Sequence, residues 1–259
     1  MPLLGLGVYQ MDDEQVQVAI DAALENGYRL IDTASFYGNE FGVGKALQSA
    51  KVDRSEIFVT TKVWNADQGY DQTLKAFEVS MDNLGLDVLD LYLVHWPVAG
   101  KYMDTWRALE QLYKDGRVRA VGVSNFLVNQ LEDLANHSDL VPVLNQIEFH
   151  PHLQQPALLD YCAEHQIQVQ AWSPLMQGQV FDVPLLQELA VKYGKSEVQI
   201  VLRWNLQRGI STIPKSAKPH RIADNGNLYD FSLSSEDMER LAGIDQAKRI
   251  GPDPADFDF

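Results

Sequence analysis

The sequence has a single cysteine, Cys162, so it cannot close a disulfide within itself and must hold its fold by packing, as proteins of reducing compartments do. Long apolar runs are missing as well. The nearest, LDVLDLYLVHW, carries two aspartates and falls well short of the roughly 18 residues of a membrane span. The opening MPLLGLGVYQ has neither the basic start nor the apolar stretch of a secretory leader. Positive charge is scarce: 21 Lys and Arg stand against 36 Asp and Glu, and the net charge of −15 repels nucleic acid and anionic membrane. No Gly/Ser linker or low-complexity segment divides the chain, and no heptad run suggests an obligate assembly. The expectation is a cytoplasmic monomer with no nucleic-acid or membrane partner.

What is present is globular: 259 residues, 46% of them hydrophobic and 22% charged, enough to bury a core without staples. Short β-rich runs recur at 4–8, 29–32, 58–62, 91–95, 120–124, 144–148, 169–173 and 211–214. Helical stripes lie between most of them. Val16, Ala19, Ile20, Ala23 and Leu24 form one, opened by Asp12 or Asp13 and closed by Gly27. Trp106, Leu109, Leu112 and Tyr113 form a second that ends at Gly116, and Leu185, Leu186, Leu189 and Ala190 a third. Cys162, on the helical run Leu158-Leu-Asp-Tyr-Cys-Ala, reads as a small buried hydrophobe. Strands alternating with helices require a parallel sheet, and eight such units in this length fit a single-domain (β/α)8 barrel over residues 1–259. An open doubly wound sheet is the alternative.

A barrel directs attention to the C-terminal ends of its strands. Asp32, Lys62, His95, Ser124-Asn125, Asn145-Gln146 with Glu148, Ser173 and Lys215-Ser216 all stand at or near such ends. Several familiar motifs are absent. Gly5-Leu-Gly7 lacks the third glycine of a dinucleotide turn, Gly42-Val-Gly-Lys45 is not a P-loop, and there is no nucleophile elbow. His150-Pro-His152 is split by proline and has no evident third ligand, so no metal is expected. Asp32 and Glu148 could pose as a glycosidase pair, but that reading leaves lysine, tyrosine and histidine unexplained.

Two groupings carry chemistry. Lys215, Lys218 and Arg221 lie within seven residues with no acid among them, which suggests either an anion site or a solvated loop. Asp32, Tyr37, Lys62 and His95 follow three successive strands. An ammonium beside a phenol stabilises tyrosinate and lowers the phenol's pKa, a carboxylate holds the ammonium, and a histidine orients a carbonyl. Such a set protonates a carbonyl oxygen while something else attacks the carbon, and the hydride has to come from a reduced cofactor. Taken singly, each of the four is equally an ordinary loop or core residue.

The segment Gly27-Tyr-Arg-Leu-Ile-Asp32-Thr-Ala-Ser-Phe-Tyr37-Gly-Asn-Glu40, continuing to Gly44, resembles the signature of the aldo-keto reductases. Val63-Trp-Asn65, His95-Trp-Pro97, Gly122-Val-Ser-Asn-Phe126, Asn145-Gln-Ile-Glu148, Trp172-Ser-Pro-Leu175 and Ile213-Pro-Lys-Ser216 follow in family order, so the resemblance spans essentially the whole chain. It implies NADPH-dependent reduction of aldehydes and ketones, with Tyr37 as general acid, Lys62 and Asp32 tuning it, and His95 orienting the carbonyl. It further implies Ser124, Asn125 and Gln146 at the nicotinamide carboxamide, Trp172 stacked on the ring, and Leu175 and Gln177 along the pyrophosphate. Lys215, Ser216 and Arg221 would hold the 2′-phosphate and Asn225 the adenine; Tyr9, Phe36, Trp64 and Trp96 would border the substrate. NADPH is favoured over NADH, since a 2′-hydroxyl would leave those cations unmatched.

Three departures from the family pattern stand out: no hairpin precedes the first strand, Trp172 stands where tyrosine is common, and Asp224 replaces a glutamate. Short loops after His95 and at the C-terminus imply an open, aromatic-walled pocket suited to small aldehydes, α-dicarbonyls or keto sugars such as 2,5-diketogluconate. The resemblance is nearest to microbial members acting on 2,5-diketogluconate, or on glyoxal and methylglyoxal. A non-catalytic NADPH-sensing subunit on the same barrel is the rival expectation.

Overall fold

The computed structural model describes residues 1–257 and 259. Eight parallel strands, β1 (Leu6–Gly7), β2 (Leu30–Asp32), β3 (Phe58–Val63), β4 (Leu91–Val94), β5 (Val121–Ser124), β6 (Leu144–Glu148), β7 (Gln168–Trp172) and β8 (Ser211–Thr212), pair in sequence order. Parallel bridges Leu4↔Thr212 and Gly7↔Lys215 join the first strand to the last, which closes the sheet into a barrel and excludes the open alternative. The helices are α1 (Asp13–Glu25), α2 (Glu40–Ser49), α3 (Tyr70–Leu84), α4 (Tyr102–Lys114), α5 (Val128–His137), α6 (Pro156–Glu164), α7 (Pro184–Tyr193), α8 (Glu197–Gln207), α9 (Pro219–Gly226) and α10 (Ser235–Ala242). Among the described residues no helix is long and apolar enough to cross a membrane.

Local chemistry sets the boundaries. The Asp12 carboxylate accepts the Gln15 N–H at 2.8 Å, which makes Asp12 the cap of α1, and Gly27 leaves the helix with φ 82°. The apolar stripe of α1 is buried as expected. That of α4 needs a correction: Trp106, Leu109 and Leu112 are buried, whereas Tyr113, one step around the helix from Leu112, faces solvent. Cys162 is buried without exposed surface.

Side-chain alternation along the strands divides the core in two. Ile31, Val59, Val63, Tyr92, Val94, Val121, Val123, Ile147, Val169 and Ala171 point outward and join the large cluster under the helices. Leu91, Leu93 and Leu144, with Phe58 and Ala120, fill the bottom of the barrel interior. Continuing two residues along the same strands from Phe58, Leu91, Ala120 and Leu144 reaches Thr60, Leu93, Gly122 and Gln146, and the next step reaches Lys62, His95, Ser124 and Glu148. A period of two therefore carries each strand from a greasy floor to a polar rim.

Gly44, the last residue of the signature segment, lies where α2 crosses the end of α3, and a Cβ there would fall 2.5 Å from the Asn83 carbonyl oxygen. Backbone cannot yield as a flexible side chain can. Gly44→Ala should destabilise the fold by about 1–3 kcal/mol in urea unfolding, without a change in m-value.

Candidate active site

At the rim, Lys62 has no exposed surface and Asp32 almost none. Lys62 Nζ donates to Asp32 Oδ1 at 2.6 Å and to the Thr33 carbonyl at 2.9 Å. The other carboxylate oxygen, Oδ2, accepts from Gln146 Nε2 at 2.7 Å, and the same Nε2 donates to Gln170 Oε1 at 2.7 Å. Gln170 Nε2 in turn donates to Ser211 Oγ at 3.0 Å, so a polar chain crosses the barrel interior from β8 to β3. Burial raises the Asp32 carboxyl and lowers the Lys62 ammonium from their ordinary values, and their mutual attraction opposes both shifts. With hydrogen bonds to both members, the pair is held as ions.

The third donor direction of Lys62 Nζ reaches Tyr37 Oη at 3.4 Å. Tyr37 ends a short 3-10 turn, Ser35–Tyr37, that Gly38 terminates in the left-handed region. The turn is tied down: Ser35 Oγ donates to the Lys62 carbonyl, and Asn39 Nδ2 donates to the carbonyls of Val8 and Met11. The expected lowering of the phenol's pKa is reversed. Burial first, then the negative charge of Asp32 and the neighbouring Tyr9, push Tyr37 well above the usual phenol range. The charge of Lys62 is closely matched by Asp32, so little is left to favour tyrosinate. Because Oη accepts from an ammonium, its own hydrogen is free for another acceptor.

His95 meets the Tyr37 ring edge-on at 5.9 Å and the Trp64 ring at 5.1 Å. Burial, and secondarily the charge of Lys62, hold its imidazole well below the usual value, so it is neutral. Three of the four expected catalytic side chains are thus linked by hydrogen bonds, and His95 adjoins them through Tyr37.

The neighbouring strand ends carry the other expected residues. Asn125, left-handed at φ 64°, donates through Nδ2 to the His95 carbonyl at 3.0 Å and to Ser124 Oγ at 3.1 Å. Its Oδ1 accepts from Trp172 Nε1 at 2.8 Å, a bond a tyrosine at that position has no ring N–H to make. Gln146 uses both amide hydrogens inside the barrel, which leaves Oε1 as its free acceptor. The loop after β7 turns through positive φ at Ser173, Met176, Gln177 and Gly178, with Leu175 between. Lys215 follows β8, with Ser216 Oγ accepting the Lys218 N–H at 3.2 Å; Arg221 and the buried Asn225 lie on α9. Lys215, Lys218 and Arg221 are exposed, and among the described residues none is in an ion pair. In a chain of net charge −15 these are three exposed cations with no ion-pair partner among the described residues.

Aromatic rings wall the rim. Phe36 stacks on Trp64 at 3.8 Å and Tyr9 lies 4.9 Å from Tyr37. Trp96 is set further back, against Phe257 at 5.1 Å and Phe259 at 5.2 Å, and Phe259 also stacks on Trp64 at 5.9 Å. Asn65 Nδ2 donates to the Phe259 carbonyl at 3.0 Å. The short C-terminal segment therefore does reach the pocket, a placement that no local sequence pattern announces. Glu148, weighed as half of a glycosidase pair, instead lies buried beneath that segment, where its Oε1 accepts the Ile250 N–H at 2.7 Å and the Gly251 N–H at 3.2 Å. His150 contacts the same oxygen at 3.1 Å.

The model of the Aldo/keto reductase family matches residues 3–246. Glyoxal reductase of Bacillus subtilis (strain 168) is 52% identical over 260 residues, covering 100% of this chain and 94% of that protein. Methylglyoxal reductase DkgA of Salmonella typhimurium (strain LT2) is 49% identical over 261 residues, covering 99% of this chain and 94% of that one. Among solved structures, a Gox0644 mutant in complex with NADPH superposes with a TM-score of 0.96 at 43% identity, over 100% of this chain and 95% of that chain.

The buried pair generates a stability test. Asp32→Ala strands the Lys62 ammonium and should lower unfolding free energy by about 3–5 kcal/mol in urea titrations. Adding Lys62→Met to that variant removes the stranded charge and should recover most of the loss.

Proposed function

This chain belongs to the aldo/keto reductase family and is an NADP(H)-dependent oxidoreductase; from that premise we propose that it reduces small aldehydes and α-dicarbonyls, of the glyoxal and methylglyoxal type, to alcohols, with Tyr37 as proton donor. The observation that carries this reading is the Lys62 ammonium, held by Asp32 and reaching Tyr37 Oη at 3.4 Å beside a neutral His95.

The residues present fit the cofactor. Gln146 Oε1 is a free acceptor for a carboxamide N–H, and Ser124 and Asn125 adjoin it at the neighbouring strand end. Trp172 offers a flat π face that its bond to Asn125 restrains. Leu175 and Gln177 line the turn expected along the pyrophosphate. Lys215, Ser216 and Arg221, with neither cation in an ion pair among the described residues, suit a phosphate monoester, and Asn225 an adenine edge. When bound, the reduced nicotinamide supplies the hydride.

The chain's own residues supply orientation and the proton. A neutral imidazole donates one hydrogen bond to the carbonyl oxygen without adding charge to a site already holding an ammonium. Tyr37, its Oη accepting from Lys62, directs its hydrogen at that oxygen and transfers it as negative charge develops there. Asp32 matches most of the Lys62 charge, so what Lys62 then gives the phenolate is the hydrogen bond its Nζ already makes to Oη, with Asp32 keeping the ammonium in place. The raised phenol suits reduction, because the donor is always loaded. Tyr9, Phe36, Trp64 and Trp96 exclude water around a small, flat substrate, and the similarity to reductases of glyoxal and methylglyoxal supports the substrate class.

Three outcomes test this. With methylglyoxal, NADPH consumption at 340 nm should fall about 100-fold or more in Tyr37→Phe, while tryptophan-fluorescence titration still shows NADPH binding. Binding with no turnover in wild type would favour the sensing subunit. Reduction should be flat between about pH 6.5 and 9.5: the lowered His95 stays neutral above that range's foot, and the raised Tyr37 stays protonated to its top. Arg221→Ala should weaken NADPH binding about 10-fold or more and leave NADH binding little changed, read by the same titration.

A further inference from the structure

We propose that Glu148 is a positioning residue for the carbonyl pocket, anchoring the C-terminal segment so that Phe257 and Phe259 complete its wall and Gly251 braces Trp172. The inference rests on the reductase reading for its kinetic consequence, and on geometry for the anchor itself.

Alternation along β6 turns Glu148 into the rim layer reached also by Lys62 and His95, yet among the described residues it makes no hydrogen bond or ion pair with Asp32, Tyr37, Lys62 or His95. A carboxylate buried this completely is costly unless its oxygens find donors. Besides the contact with His150, every partner it finds lies in the C-terminal segment. Oε1 accepts two consecutive backbone N–H groups, from Ile250 at 2.7 Å and Gly251 at 3.2 Å, and the Arg249 guanidinium lies 3.9 Å from Oε2. Oε2 has no hydrogen bond of its own. Arg249 also donates to Gln155 Oε1 at 3.2 Å, and Gln155 Nε2 donates to the Glu148 carbonyl at 2.7 Å, so backbone and side chain of one residue are both tied to the crossing point.

On one side of that point the segment is already held, because the Gln246 and Lys248 N–H groups donate to the His152 carbonyl. On the other side its path runs over the site. A methyl group at Gly251 would overlap the Trp172 indole, so this backbone is in direct contact with the ring expected against the nicotinamide. Farther on, Phe257 and Phe259 lie against Trp96 and Trp64, and the Asn65 bond to the Phe259 carbonyl adds one polar contact. Those ring contacts are non-directional and do not fix where the chain crosses the rim. Two charge-assisted bonds to consecutive N–H groups do. The role thus assigns a use to Glu148 and to the His150–His152 stretch, neither of which the carbonyl chemistry needs.

The test compares wild type, Glu148→Ala, Glu148→Gln and Arg249→Met with methylglyoxal and with phenylglyoxal, alongside thermal melts. A displaced wall should raise KM for the aromatic dicarbonyl about tenfold in Glu148→Ala, with KM for methylglyoxal and both kcat values moving less than about threefold. Glu148→Gln, which keeps an acceptor oxygen, should restore most of the phenylglyoxal KM. A folded Glu148→Ala with unchanged KM, or with kcat falling at constant KM, overturns the proposal. Should Glu148→Ala fail to fold, Arg249→Met carries the test: a KM rise confined to phenylglyoxal supports it and no change overturns it. If wild type reduces neither carbonyl, the reductase reading has failed, and the anchor is judged by trypsin cleavage at Lys248 and Arg249. Faster cleavage at Lys248, the site all variants share, in folded Glu148→Ala, or in Arg249→Met should Glu148→Ala not fold, supports the anchor; equal rates overturn it.

Discussion

A lysine with no exposed surface sits at the top of a closed barrel, and the architecture around it follows from keeping its ammonium charged there. Taking that group out of water is affordable only because Asp32 lies at 2.6 Å and the Thr33 carbonyl at 2.9 Å. Asp32 is itself buried, so its second oxygen needs Gln146, and Gln146 leads on to Gln170 and Ser211. Five strands from opposite parts of the ring are thereby committed to one polar layer. Tyr37 is attached to that layer through Lys62, and the loop bearing it is tied back to β3 through Ser35.

The same pair sets the electrostatics of the neighbouring groups, in a sense opposite to simple expectation for the tyrosine. A cation beside a phenol favours phenolate when the cation acts alone. Here the cation is matched by Asp32, and burial then dominates, so Tyr37 is kept protonated. His95 feels the lysine charge and the loss of water in the same direction and is kept neutral. The outcome is one protonated phenol and one uncharged imidazole beside the same aromatic rings.

The geometry also separates the hydrogen-bonded cluster of Asp32, Tyr37 and Lys62 from the contacts beneath the C-terminal segment. Lys62, His95, Ser124 and Glu148 occupy equivalent positions on their strands, yet Glu148 faces backbone N–H groups of a segment that arrives about 100 residues later in the chain. Trp172 belongs to both halves, bonded to Asn125 through its ring nitrogen and packed against Gly251.

Much of this was legible from one dimension. The alternation of apolar and polar residues along Phe58–Lys62 or Leu144–Glu148 fixes which side chains enter the barrel, because strand periodicity is local. Helix α1 could be read from its stripe and its aspartate cap for the same reason, and the resemblance carried by Asp32, Tyr37, Lys62 and His95 pointed to the family. Tertiary structure decided what depends on distance through space. Whether Lys62 lowers the phenol depends on how closely Asp32 matches its charge, and whether Tyr113 is core depends on which way α4 is rotated against the sheet. Whether Glu148 is chemistry or anchor depends on a segment remote in sequence. Periodicity is a property of neighbours along the chain; charge compensation and packing partners are properties of neighbours in space, and only folding brings those together.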